Sequence, residues 1–211
     1  KRLFILIFGG AVGAMHSFKD KGKKLYYNLS KKLNLKTIDV PTRVIVDNIA
    51  EYLLLCSHLG SALENIGKEL SFYMREEIGE IAENYNKNII GSSSMPHKLN
   101  PKNVYTFISK AREMKSYSIN GLGMMDIQNE GDLGSQYFQL SVIKEISPKL
   151  NILLEEFCKL LKILKVKPNK MKQNLEISNN LGHSENITMF ITPIIGKQKA
   201  YKIINTISKN I

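Results

Sequence analysis

Three long stretches of the chain repeat apolar residues at helical spacing. From Pro41 to about Glu83 a stripe runs through Val44, Ile49, Leu53, Cys56, Leu63, Ile66 and Leu70, with the proline near its start. That is roughly forty residues, against about eleven to twelve for an ordinary helix, so the pattern predicts a helix that needs several neighbours. A second run goes from Asn103 to about Met124 through Val104, Phe107, Ile108, Ala111, Met114 and Tyr117. A third goes from Pro148 to about Leu164 through Leu150, Leu153, Leu154, Phe157, Leu160 and Leu161. Beyond "VKPNK" the periodic segments shorten to 168–175, 184–192 and 196–208, separated by "SNNLGHS" and "TPIIG". Period-two alternation with hairpin turns is missing. The pattern predicts an all-α protein: a long-helix bundle over 1–165 and a small C-terminal helical domain over 166–211.

Composition changes this picture little. The 211 residues can bury a sizeable core. The net charge of +11 is spread as lysines along solvated helix faces, for instance Lys159, Lys162, Lys165 and Lys167, without interleaved aromatics, so no nucleic-acid surface is expected. The opening "KRLFILIFGGAVGAM" has a basic start but a short, Gly-interrupted apolar run, and reads as core rather than as a leader or membrane span. A chain that opens on Lys1 inside such a run looks like the middle of a longer protein. Cys56 and Cys158 lie in separate apolar runs and read as buried free thiols. A cytoplasmic location fits this composition.

The densest chemistry lies in "GSSSMPHKLNP", residues 91–101. Gly91 and three serines leave main-chain N–H groups free to converge on an anion. Asn100-Pro101 reads as a helix cap and first helical residue, which aims the positive end of the next helix at the same loop. Lys98 adds a full charge, so the segment suits a carboxylate or phosphate. The plainer alternative is a surface turn with an Asn-Pro helix start.

The spacing Gly91-Ser92-x-x-Met95-x-x-Lys98-x-Asn100 resembles the signature of the fumarase/aspartase superfamily. Met-Pro-His-Lys at 95–98 is similar to the adenylosuccinate lyase and carboxymuconate cycloisomerase branch. "GGAVGAM", "DNIAE" at 47–51, "REEIGEIAE" at 75–83, "MKQNLEISNNLGHSEN" and "GKQKAYKII" extend the likeness over nearly the whole chain. The resemblance implies elimination of fumarate from a succinyl group of a small dicarboxylate substrate, as in purine biosynthesis, through a carbanion delocalised as an aci-carboxylate. It makes Ser92 the base, with Ser93 the fallback. Lys98 would grip a substrate carboxylate, Asn100 would orient it, and Gly91, Met95 and His97 would line the substrate. A serine can serve only if amides and a cation hold the alkoxide and the aci-carboxylate. The resemblance also implies a homotetramer whose active sites are shared between subunits. The histidine acting as general acid belongs to motifs expected before Lys1. No metal or cofactor is called for.

Two departures from the branch bear on substrate. A glutamate that follows the closing proline by four residues is replaced by Tyr105. The stretch "NEGDLGSQYFQLS" keeps Glu130 and Asp132 but has Gly131 for an arginine, and Gln136 and Leu140 where a phosphate-holding serine and second arginine would fall. Losing such forks costs about 1.5–3 kcal/mol per charged hydrogen bond, which counts against a phosphorylated substrate. Cycloisomerases also lack the glutamate and carry a glycine like Gly134, yet keep the arginine. "HSEN" at 183–186 and Ala200-Tyr201 lean towards the lyase. A third reading is a helical homologue that kept the bundle and lost chemistry. Among the histidines, His58 reads as a core or interface residue, and His16 and His183 as structural or solvated. Glu76, Glu77 and Glu80 read as a solvated helix face or its end.

Overall fold

The computed structural model describes residues 2–10, 12–84, 100–177 and 181–209. It resolves into two compact units: Lys1–Lys68 with Lys102–Leu161, and Glu69–Pro101 with Lys162–Ile211. Helices dominate both, as the periodicity requires.

In the first unit α1 spans Gly22–Leu33, α2 Asp47–Tyr73, α3 Lys102–Glu113, α4 Tyr117–Gly123 and α5 Leu133–Ile163, with the ends of α2 and α5 running into the second unit. The second predicted stripe is seen almost unchanged. Val104, Phe107, Ala111, Met114, Tyr117 and Met124 are all buried, although a 3₁₀ turn at Met114–Ser116 divides the run into α3 and α4. Against it α2 turns Leu53, Cys56, Gly60, Leu63 and Gly67. The two glycines set the approach: a Cβ on Gly60 would lie 2.6 Å from Met114 Cβ and 2.8 Å from the Ala111 carbonyl oxygen, and one on Gly67 would meet Ile108 at 2.7 Å. Only a residue without a side chain lets these helices come so close. Phe107 stacks on Phe157 of α5 with ring centroids 5.3 Å apart, and the Ser57 hydroxyl donates to the carbonyls of Leu53 and Met114.

Polar ties close the same unit. Glu64 on α2 is buried, and its carboxylate takes Lys68 at 2.8 Å, Arg112 at 3.0 Å and Lys115. The Tyr26 hydroxyl of α1 donates to the Leu6 carbonyl at 2.9 Å and accepts from the Ile38 amide at 2.9 Å, which fastens the opening segment.

Several expectations need correction. α2 is 27 residues long, because 41–46 is held in non-helical backbone and Ile81–Glu83 forms strand β1. α5 starts at Leu133 and passes through Pro148, so that proline does not open the helix. On α5 the predicted stripe buries Leu153 and Leu160 but leaves Leu154 and Leu161 exposed. Of the opening run read as core, Leu6 is buried while Leu3, Phe4 and Ile7 are exposed. Cys56 is buried, but Cys158 is exposed, and so is His58.

In the second unit β1 pairs antiparallel with β2, Leu164–Val166, in the register Ile81↔Val166. The Asn174 amide of α6, Pro168–Ile177, donates to the Ile78 carbonyl and to Glu80. α7, Ser184–Ile195, and α8, Lys197–Ser208, meet at Gly196, whose φ of 84° is the left-handed backbone that glycine tolerates. Among the described residues no helix is long and apolar enough to cross a membrane.

Candidate functional site

Gly91, Ser92, Ser93, Met95, His97 and Lys98 lie outside the described residues. Asn100 is described and exposed, and α3 starts at Lys102, so the helix begins one residue later than the Asn-Pro pattern predicts. The described residues thus place a helix N-terminus directly after Pro101. Tyr105, one turn on, is exposed on α3.

A second cluster is built from the segment before α2 and the start of α5, the latter one of the places where this chain departs from its resemblance. Asp132 caps α5: its carboxylate accepts the Ser135 amide at 3.2 Å and the Ser135 hydroxyl at 2.7 Å. Those bonds, the hydroxyl first, hold its pKa below the usual carboxylate value. Glu130, two residues earlier, is bound by the Thr42 hydroxyl and, at 3.2 Å, by the Arg43 amide. The Thr42 bond is the main cause that lowers the Glu130 pKa, and the charge of Arg43 adds to it. The Thr42 oxygen in turn accepts the Val44 amide at 3.2 Å, which closes a tight turn.

The half-buried Arg43 side chain reaches Gln136, donating from Nη1 to its Oε1 at 3.3 Å. Gly131 stands beneath the guanidinium: a Cβ there would find Arg43 Nη2 at 3.9 Å and no other described atom within 4 Å. Its φ of 81° disfavours any L side chain. Thus Gly131 and Gln136, singled out in sequence as missing phosphate ligands, are brought together by an arginine from another element, whereas Leu140 is an exposed apolar residue of α5. Thr42 and Arg43 carry no motif; the one sequence hint is a Thr-Arg pair interrupting an otherwise apolar stretch.

Elsewhere, Arg2 pairs with Asp47 and, at 3.0 Å, with Glu51 beside a cleft of about 180 Å³ lined by Leu3, Tyr52 and Leu55. A cleft of about 430 Å³ between α7 and α8 is lined by Glu185, Lys197, Tyr201 and Asn205. No group of three or more metal-ligating side chains occurs among the described residues. His16 and His183 are exposed, as are Glu76 and Glu77.

Comparison with known proteins gives this geometry a context. A family model described as lyase matches residues 1–114. An N-acetyl-S-(2-succino)cysteine lyase of Dickeya dadantii is 28% identical over 204 residues, covering 97% of this chain and 45% of that protein. An adenylosuccinate lyase of Methanothermobacter thermautotrophicus is 27% identical over 207 residues, covering 97% and 46%. The crystal structure of a fumarate lyase from Mesorhizobium sp. BNC1 superposes with a TM-score of 0.79 at 23% identity, over 99% of this chain and 46% of that one. The chain thus spans about half the length of the relatives it matches.

Proposed function

We infer the chemistry from one premise: the chain belongs to the fumarase/aspartase superfamily, whose members are lyases and cycloisomerases. We propose that it carries the signature-loop portion of a lyase of the adenylosuccinate lyase type, which releases fumarate from a succinyl substrate by β-elimination. The observation that carries this is the complete spacing Gly91-Ser92-x-x-Met95-x-x-Lys98-x-Asn100, set immediately before the N-terminus of α3.

In this mechanism Ser92, with Ser93 as its neighbour and alternative, removes a proton from the carbon beside one carboxylate of the succinyl group. The electron pair spreads into that carboxylate and then expels the substituent on the adjacent carbon, whose heteroatom takes a proton from a general acid supplied by another part of the enzyme. Lys98, Asn100, and the amides about Gly91 and Met95 hold the doubly charged carboxylate, and His97 lies against the substrate. Such fixed donors are worth most where charge develops during the reaction.

A homotetramer with shared sites fits the helix surfaces. Leu55, Leu59 and Ile66 on α2, and Tyr137, Leu140 and Ile152 on α5, are exposed along helices whose other faces are buried. A purine-biosynthetic role in the cytoplasm belongs to the same proposal. Tyr105, in the place of an orienting glutamate, favours the cycloisomerase reading as the second choice.

The test uses the full-length gene product. Fumarate release from adenylosuccinate and from N-acetyl-S-(2-succino)cysteine is followed in the ultraviolet, with carboxymuconate as the third substrate. Ser92→Ala is expected to lower kcat by a factor of about 10³ or more without a matching change in KM. Turnover that survives both Ser92→Ala and Ser93→Ala removes the serine-base assignment, and turnover of carboxymuconate in place of the succinyl compounds transfers the protein to the cycloisomerase reading.

A further inference from the structure

The α7–α8 hairpin sets an uncovered apolar face in a region of excess positive charge. Residues 162–211 hold nine lysines against two acids, Glu176 and Glu185. With 69–101 included, the second unit has twelve basic against seven acidic residues. Charge placed so unevenly along a chain points to an anionic partner. On α7, Ile187, Phe190 and Ile194 recur at spacings of three and four and are exposed; on α8, Lys199, Ile203 and Ile207 recur at four and are exposed. Each row runs along one face of its helix. The cleft between the two helices is lined by Glu185, Met189, Lys197, Tyr201 and Asn205, and by no residue of either row, so both rows face away from it. Glu185, the single acid of the hairpin, belongs to that cleft. Lys199 borders the apolar rows, Lys202 and Lys209 are exposed on α8, and among the described residues none of the three takes part in an ion pair.

We propose that the α7–α8 hairpin docks on an anionic lipid surface, with Ile187, Phe190, Ile194, Ile203 and Ile207 entering the headgroup region and Lys199 and Lys202 meeting the lipid phosphates. Shape and charge select this occupant. A partner helix is recognised in a groove, and the groove of this hairpin is on its other side. A second copy of the chain would bring the same excess of positive charge with it. A lipid interface asks only for an apolar face bordered by lysines, whose long stems let the ammonium groups reach the phosphates while the helix lies deeper. The two helices, of 12 residues each, are too short to cross a bilayer and so lie along its surface. Covering the face in this way leaves the lyase reaction and its loop untouched.

The test floats the full-length protein with vesicles of phosphatidylcholine alone and of phosphatidylcholine mixed with phosphatidylglycerol. The mixed vesicles are expected to bind at least about tenfold more protein, and the binding to weaken as salt is raised from about 0.05 to about 0.5 M. Phe190→Glu with Ile194→Glu is expected to lower the partition coefficient at least about tenfold, and Lys199→Gln with Lys202→Gln by about threefold or more together with a shallower salt dependence. Circular dichroism shows whether each variant is folded. Phe190→Trp supplies a second, conservative readout: compared with the unsubstituted protein, its added emission should move to shorter wavelength on mixed vesicles and be quenched by brominated lipid. Equal binding to both kinds of vesicle, no binding to either, or binding that survives the paired glutamates overturns the assignment. An added emission that is already at short wavelength without vesicles overturns it too, because another part of the assembled protein or a second copy then covers the face.

Discussion

Phe107 and Phe190 are the same side chain in two opposite settings. Phe107 is 1% exposed, enclosed between α2 and α5 and stacked on Phe157, while Phe190 on α7 is 78% exposed. The helices around them differ in the same way. α2 and α3 bury their apolar stripes because Gly60 and Gly67 remove the side chains that would hold the helices apart. α7 buries no residue, although Ile187, Met189, Phe190 and Ile194 make it as apolar as a core helix, and its Thr188 and Thr192 hydroxyls are spent on carbonyls of its own preceding turn, those of Ser184 and Thr188. An apolar stripe therefore says that a helix is built to be covered; close-approach residues on a neighbour decide whether this chain covers it.

The largest expected effect comes from breaking the covered side. Phe107→Ala removes a fully enclosed ring and leaves a cavity that the glycine-set helix spacing cannot close, so a loss of about 3–5 kcal/mol is expected in urea unfolding. A loss below about 1 kcal/mol would mean that α2, α3 and α5 are free to collapse onto the gap, contrary to the contacts at Gly60 and Gly67.

The buried charge in the same region gives the next effect. Glu64 has its pKa drawn down to about 2, first by Lys115, then by Lys68, with burial opposing and Arg112 assisting. The carboxylate is covered by the stems of cations whose own side chains stay well exposed, so the charges remain near water and their strength is moderated. Glu64→Gln is expected to cost about 2 kcal/mol at neutral pH. The sign of its pH dependence follows from the lowered pKa. The unfolded chain binds the proton more readily than the folded protein, so the contribution is complete above about pH 5 and fades as the pH falls towards 2. Wild type and variant should accordingly converge in stability across that interval, and a gap that stays constant would assign the effect to packing instead of charge.

The legible and illegible parts of this molecule divide along the range of the contacts. Val104, Phe107, Ala111, Met114 and Tyr117 were readable because a stripe at helical spacing is a local property that survives packing. The start of α2 was not, since Val44 and Ile45 continue the periodicity while Thr42 and Arg43 are drawn into a turn by Glu130, 87 residues beyond Arg43. The start of α5 was hidden for a related reason: Gln139 occupies a buried position there, and the helix is opened by the Asp132 cap and not by Pro148. The signature loop announced itself through spacing. Arg43 did not, because what marks it is Gln136, 93 positions away, and the missing side chain of Gly131.

The smallest expected effect completes the comparison. Phe190→Ala deletes the same atoms as Phe107→Ala, but from a ring that already lies mostly in water, so unfolding of this chain should change by less than about 0.5 kcal/mol. The pair of variants holds side-chain chemistry constant and varies only cover, which makes the difference between them a direct measure of what burial contributes here. If Phe190→Ala instead costs more than about 1.5 kcal/mol, the outer face of α7 is packed in the folded protein. Light scattering on the full-length protein then distinguishes the two kinds of cover: a cost that comes with a smaller assembly places another subunit on α7, and a cost at unchanged mass places another segment of the same polypeptide there.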